Sequence, residues 1–441
     1  MRKKPSSISI KGIILLGFFS IFMAFVQNAR AQFIRGADIG WLAQMEATGF
    51  KFYNSSGVQQ NCLQILKDKG INTVRLRVWV NPSNDKTNGH CSKKETVIMA
   101  LRAKAIGMRV MIDFHYSDSW ADPSKQTKPA AWATHSFTQL LDDVYNHTFE
   151  VLDTLKQCGV TPVWAQIGNE IAGGMLWPDG KLWGADGSPA NWSNLAQMIN
   201  KGYDATKAID NSIKVIIHLE SGSNNGKFRW FFDNAKKYNV KYDIIGASYY
   251  PYWDNVDYTA NIDALGTNLN DMASSYGKEV MVVEVGGLDT QVQNTYDMLV
   301  AVIQKTIAVT NSKGLGVIYW EPEGERNWNG GYALSCWKSD GKPTAALDAF
   351  LTNSTGLNQT KVSANFNFYP NPCSVGMLNI EFKNAAISHE VRVYNIDGII
   401  LKKLTLTGSL KYPIDIGLKP GIYFLNVDDS LYSKAEKLVI R

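Results

Sequence analysis

The sequence predicts an α/β protein, a (β/α)8 TIM barrel, with a small C-terminal all-β sandwich. Three observations carry this. Between Ile34 and about Asn353, eight short runs rich in Val and Ile recur, each followed by a helix-like stretch. The runs are almost continuously apolar, as strands buried on both faces of a parallel sheet must be. Beyond residue 366 the pattern changes to alternation with closely spaced turn signals. An open doubly wound sheet is the alternative for the first part. No GxGxxG follows the first run, so a dinucleotide site has no support.

Residues 1–31 read as a signal peptide. Arg2, Lys3 and Lys4 precede the apolar run "GIILLGFFSIFMAFV" (12–26), and "ARA" (29–31) fits small-x-small cleavage. Fifteen apolar residues are short for a membrane span. A retained anchor is the alternative. The mature chain is expected to begin near Gln32, outside the cytoplasm.

The eight runs are "FIRGADI" (33–39), "NTVRLRVWV" (72–80), "MRVMIDFHY" (108–116), "PVWAQIGNE" (162–170), "IKVIIHLES" (213–221), "DIIGASYYP" (243–251), "EVMVVEVGG" (279–287) and "GLGVIYWEP" (314–322). Connections such as "CLQILKDKG" (62–70) place apolar residues at helical spacing and stop at Gly. Eight such units within 32–353 make a barrel domain, closed by a helix over 342–353. The polar stretch 354–365 reads as a linker. In 366–441, "LNIEF", "VRVYNIDG", "LKKLTL", "GIYFLNV" and "EKLVIR" alternate as sandwich strands do.

The 45 basic and 40 acidic residues are interspersed, which excludes the basic stripe that nucleic acid requires. The 13 Trp are a high count, consistent with a large core or with exposed rings that stack on ligands. Five Cys leave at least one thiol free, even though export permits disulfides. No CxxC or Cys/His spacing suggests zinc.

In a barrel of this kind the active site lies at the C-terminal ends of the strands. The polar clusters fall there: Arg75 and Arg77; Asp113, His115 and Tyr116; Asn169 and Glu170; His218 and Glu220; Ser248, Tyr249 and Tyr250; Glu284; Trp320 and Glu321. One such carboxylate alone is as often a structural ion pair as a catalyst. Strands four and seven, however, face each other across an eight-stranded barrel. Glu170 and Glu284 can therefore flank one bond, the arrangement of a glycosidase. Trp320, Trp177 and Trp253 are candidates for stacking on sugar faces, with packing under loops as the alternative for each.

The blocks "GINTVRLRVWVNP" (70–82), "IDFHYSDSWADP" (112–123), "IGNEIAGGMLWPDG" (167–180), "GASYYPYW" (246–253) and "IYWEPE" (318–323) closely resemble the endo-β-1,4-galactanases of glycoside hydrolase family 53. The resemblance covers about 33–352. It implies a retaining double displacement with Glu170 as acid/base and Glu284 as nucleophile. It further implies Arg75 near the nucleophile, Asn169 on the sugar 2-hydroxyl and Tyr250 hydrogen-bonded to Glu284, with His115 and Trp320 also binding substrate. The implied substrate is the β-1,4-galactan, or arabinogalactan, of pectin. Arg75 and Tyr250 would favour an ionised Glu284, and a less solvated Glu170 would have a raised pKa.

Some relatives bind calcium between the loops that here are 285–299 and 323–337. Neither carries a dense oxygen-ligand cluster, so no cofactor or metal is expected. "FYPNPC" (368–373), "VYNIDGIIL" (393–401), "LKPGIYFLNV" (418–427) and the terminal "KLVIR" resemble the sorting domain of type IX secretion. A carbohydrate-binding sandwich is the alternative, and the scarcity of Trp there speaks against it. The expected protein is secreted or displayed on the outer cell surface by the type IX machinery and acts as a monomer. Two other functions stay open: cleavage of mannan, xylan or glucan by the same two Glu, and non-catalytic sugar binding, against which the paired carboxylates argue.

Overall fold

The computed structural model describes residues 32–352, apart from 84, 86–88 and 329–331, and residues 366–441, apart from 375–376, 383–388, 396–399 and 429–432. The expected signal peptide and linker lie outside the described residues.

All eight runs become strands of a closed parallel barrel in sequence order: β1 Ile34–Asp38, β2 Thr73–Val78, β3 Arg109–Phe114, β4 Trp164–Ile167, β5 Lys214–Leu219, β6 Ile244–Tyr249, β7 Glu279–Val285 and β8 Gly314–Trp320. The α-helices between them are α1 Leu42–Ala47, α2 Cys62–Asp68, α3 Lys93–Ala105, α4 Phe137–Gln157, α5 Trp192–Ile209, α6 Asn225–Lys237, α7 Tyr258–Ser275 and α8 Val292–Ile307. Local chemistry fixes several starts. Ser92 with Glu95 and Ser136 with Gln139 form capping boxes that satisfy the first free N–H groups of α3 and α4. The expected closing helix is present as a 3-10 helix, Ala345–Leu351. It is short and Thr344 makes no side-chain cap, so the tighter turn suffices.

Strand alternation divides the barrel into two apolar zones and one polar zone. Val74, Leu76, Val110, Ile112, Ala165, Ile217 and Ala247 point outward and pack under the helices. Ile34, Met111, Trp164, Ile216, Ile244, Met281, Val283 and Ile318 point inward and plug the lower barrel. Burying each such side chain contributes about 1.5–3 kcal/mol. Further along the same strands the inward positions turn polar. One strand breaks the alternation. In β7 Val282 packs outward and Val283 joins the inner plug, yet Glu284 also faces inward, 2.9 Å from Arg75. The cause is a register shift against β6, where Ala247 pairs with Val282 but Ser248 pairs with Glu284. Such a bulge re-aims a side chain.

The C-terminal part has two antiparallel sheets. One, ordered β13-β10-β9, comprises β9 Phe366–Tyr369, β10 Met377–Phe382 and β13 Lys411–Asp415. The other, ordered β12-β11-β14-β15, comprises β11 His389–Tyr394, β12 Ile400–Leu406, β14 Gly421–Asp428 and β15 Ser433–Ile440. Leu378, Ile380 and Phe382 of the first pack against Val391, Val393, Leu425 and Leu438 of the second. All five Cys are free; only Cys158 is exposed. Among the described residues no helix is long and apolar enough to cross a membrane.

Candidate active site

The inward polar residues converge on a cleft of about 770 Å³ at the C-terminal ends of the strands. His115, Trp120, Asn169, Glu170, Tyr250, Glu284, Trp320 and Tyr332 are among the residues that line it. Its floor is organised by Arg75, which is fully buried. Arg75 Nη1 donates to Asp38 Oδ2 at 2.7 Å and Glu284 Oε1 at 2.9 Å, and Nη2 donates to Asn169 Oδ1 at 2.9 Å. Nη2 also lies 2.9 Å from Asp113 Oδ2, and Gln166 Oε1 accepts from Nε at 3.2 Å. Burial works against the guanidinium's charge, but Asp113, Glu284 and Asp38 outweigh it. A buried charge is tolerable only when paired in this way. Arg75 lies beneath the cleft floor, where it holds Glu284 and Asn169.

Glu170 and Glu284 face one another as their strands predict. An oxygen of each and a ring nitrogen of His218 lie within 4.8 Å of one another. That spacing is close to the about 5–5.5 Å of a retaining pair and short of the about 6.5–9.5 Å of an inverting one. Among the described residues this trio alone could group around a metal ion. A cation there would meet the Arg75 guanidinium on the same Glu284 carboxylate, which argues against it.

Burial pushes the Glu170 carboxyl well above the ordinary range, and the Glu284 charge adds to this. The hydrogen bond from Ser248 Oγ to Glu170 Oε1, 2.7 Å, opposes it. Burial also raises Glu284, but Arg75 and the Tyr250 hydroxyl, which donates to Oε2 at 3.2 Å, pull it back. Both partners thus favour the ionised form, as expected, while burial outweighs them and leaves the Glu284 carboxyl above the ordinary range. Glu170 remains the group displaced further.

The other expected residues find distinct places. Asn169 Nδ2 donates to Ala121 O at 2.9 Å, which orients the amide at the cleft wall. His115 Nε2 sits 3.0 Å from Asp113 Oδ2, and the ring is kept neutral by burial. Trp320 stands edge-on to Trp41 and Tyr332, and Trp253 is 63% exposed at the cleft rim. Trp177 is packing: its indole donates to Gly173 O and Lys181 lies over its face. Asp38, Gln166 and Tyr332 were not anticipated. Counting alternate positions forward from Ile34 and Trp164 turns Asp38 and Gln166 inward.

A family model for glycosyl hydrolase family 53 matches residues 34–350, well over half of the chain. The chain belongs to glycosyl hydrolase family 53. A secretion-system C-terminal sorting domain matches residues 367–441 and marks the family 53 chain for export. A probable arabinogalactan endo-β-1,4-galactanase A of Neosartorya fischeri is 36% identical over 337 residues, covering 71% of this chain and 90% of the relative. The endo-β-1,4-galactanase of Bacillus subtilis is 32% identical, covering 68% and 72% respectively. Among solved structures, the family 53 catalytic domain of Ignisphaera aggregans superposes with a TM-score of 0.66 at 30% identity, covering 72% of this chain and 95% of that one. A fungal β-1,4-galactanase superposes at 0.65 with 31% identity, covering 73% and 99%.

Proposed function

We propose that the barrel hydrolyses internal β-1,4-galactosidic bonds of pectic galactan and arabinogalactan by retaining double displacement. The carboxylate pair Glu170–Glu284 carries the reading, and the names of the family relatives supply the substrate. Protonated Glu170 gives its proton to the glycosidic oxygen as ionised Glu284 attacks the anomeric carbon. Arg75 and Tyr250 favour the ionised nucleophile. In the second step Glu170 takes a proton from the water that releases the sugar. Asp289, in the loop where relatives were expected to bind calcium, accepts from Arg326 Nε at 2.8 Å, which supports metal-independent activity. The chain is read as a signal peptide over 1–31, a catalytic domain over 32–353, a linker over 354–365 and a type IX sorting domain over 366–441.

The 4-oxygen of galactan is axial, so the polymer bends at each link. A cleft built to bond particular hydroxyls rejects analogues that leave its polar groups unpaired. The test is initial rate on galactan, cellulose, xylan and mannan at equal mass concentration, with products sized over time. Internal cutting of galactan to short oligosaccharides, with little action on the others, is expected. Equal rates on galactan and mannan would overturn the substrate assignment.

A further inference from the structure

Behind Glu170 runs a buried chain of hydrogen bonds that the proposed reaction does not itself require. Ser248 Oγ lies 2.7 Å from Glu170 Oε1 and 2.7 Å from His218 Nε2. Ser248 is 1% exposed and His218 is fully buried. The direction of the chain can be worked out from its fixed end. The main-chain N–H of Glu170 donates to His218 Nδ1 at 3.4 Å, and Gln166 Nε2 approaches the same atom at 3.2 Å. A main-chain N–H can only donate, so Nδ1 accepts and the ring hydrogen sits on Nε2. Asn169 Oδ1, 3.0 Å from Nδ1, takes its hydrogen from Arg75 instead. Nε2–H then donates to Ser248, and the single Ser248 hydrogen is left for Oε1 of Glu170.

The ring stays neutral because burial, then Arg75 and His115, hold it well below the ordinary imidazole range. The charged groups around Glu170 are Glu284 from β7, Glu220 at the end of β5 and Arg75 from β2. None of them distinguishes one oxygen of Glu170 from the other by a hydrogen-bond donor as Ser248 does. We propose that His218 and Ser248 are positioning residues: a one-way hydrogen-bond chain that occupies Oε1 of Glu170 and so places the acid proton on Oε2, the oxygen left for the leaving group. The proposal rests on Glu170 being the acid/base.

The test compares Ser248→Ala with Ser248→Thr, which keeps the hydroxyl, on galactan and on a dinitrophenyl β-galactobioside. The dinitrophenolate leaves without proton assistance. Ser248→Ala should lower kcat/KM on galactan by about tenfold or more, a fraction of what acid catalysis supplies. It should change kcat/KM on the activated substrate by less than about threefold, since that step needs no acid. It should also move the alkaline limb of kcat/KM on galactan to higher pH, because a donor to the ionised form is lost. Ser248→Thr should keep the limb in place. Equal losses on both substrates, or an unmoved limb, would overturn the positioning role. Glu170→Ala run alongside should lose galactan but keep the first step on the activated substrate. If it loses both alike, the assignment of Glu170 fails and the chain's role falls with it, whereas success of this control with failure of Ser248→Ala removes the positioning role alone.

Discussion

The lower and upper halves of the barrel interior are built from the same strands and obey opposite rules. Below, Ile34, Met111, Ile216 and Ile318 fill space with no polar atom to satisfy. Above, two residues further along, Arg75, Asp113, Gln166 and His218 are as deeply buried but are held by hydrogen bonds and charge. Each apolar residue below stabilises the fold largely on its own. The residues above are tolerable only together, because one partner removed leaves a buried charge unpaired. The barrel separates stability from chemistry along its axis.

The sharpest break in that comparison should be in activity. Glu170→Gln and Glu284→Gln are each expected to lower turnover on galactan by about three orders of magnitude or more with the fold intact. Steady-state rates with circular dichroism check this, and near-normal turnover in either variant would remove that residue from the chemistry. Next in size is a pair of stability effects. Arg75→Met strands three buried carboxylates, so a loss of about 3–5 kcal/mol is expected, along with a large loss of turnover. Ile216→Ala, in the plug, should cost about 2–5 kcal/mol through its cavity while turnover per folded molecule stays unchanged. Denaturant unfolding separates the two, and comparable activity losses would mean the two halves are not independent.

A smaller effect follows from pH. The folded-state pKa of Glu170 lies well above the ordinary 4.5, so the folded state holds a proton that the unfolded state has released. Stability then falls as pH rises from about 4.5 toward the folded pKa. Glu170→Gln should therefore unfold at a higher temperature than the parent at neutral pH, with the advantage vanishing below about pH 4. Calorimetry across that range decides it; a parent more stable than the variant at neutral pH would contradict the sign. The smallest expected effect is none: a chain ending near residue 358 should keep kcat/KM and thermal midpoint, and a large drop in either would show that the sandwich shares in the barrel's stability.

Much of this division was legible in the sequence. The eight strands show as Val- and Ile-rich runs because both faces of each are buried, and the polar strand ends name Glu170, Glu284, Asn169 and Tyr250. Asp38 and Gln166 were harder, since a single polar residue in an apolar run signals nothing until alternation is counted. The link from His218 through Ser248 to Glu170 joins three strands, and only their register brings it together. β9 and β13 escaped notice because each is short and carries a weak alternation, "FNFY" and "KYPID". Glu284 is the instructive case: strict alternation from Met281 and Val283 would have pointed it out into the helix layer.

A pleated strand sorts its side chains by odd and even, and β7 carries one residue too many for that count. Parity is discrete. Straightening the bulge with Val283 kept in the strand would turn the carboxylate out into the helix layer, whereas deleting Val283 would leave it facing the cleft, opposite Ser248 as it is now. In this barrel one step of register therefore separates a carboxylate in the cleft from one in the helix layer, and the residue that sets it does not itself face the sugar.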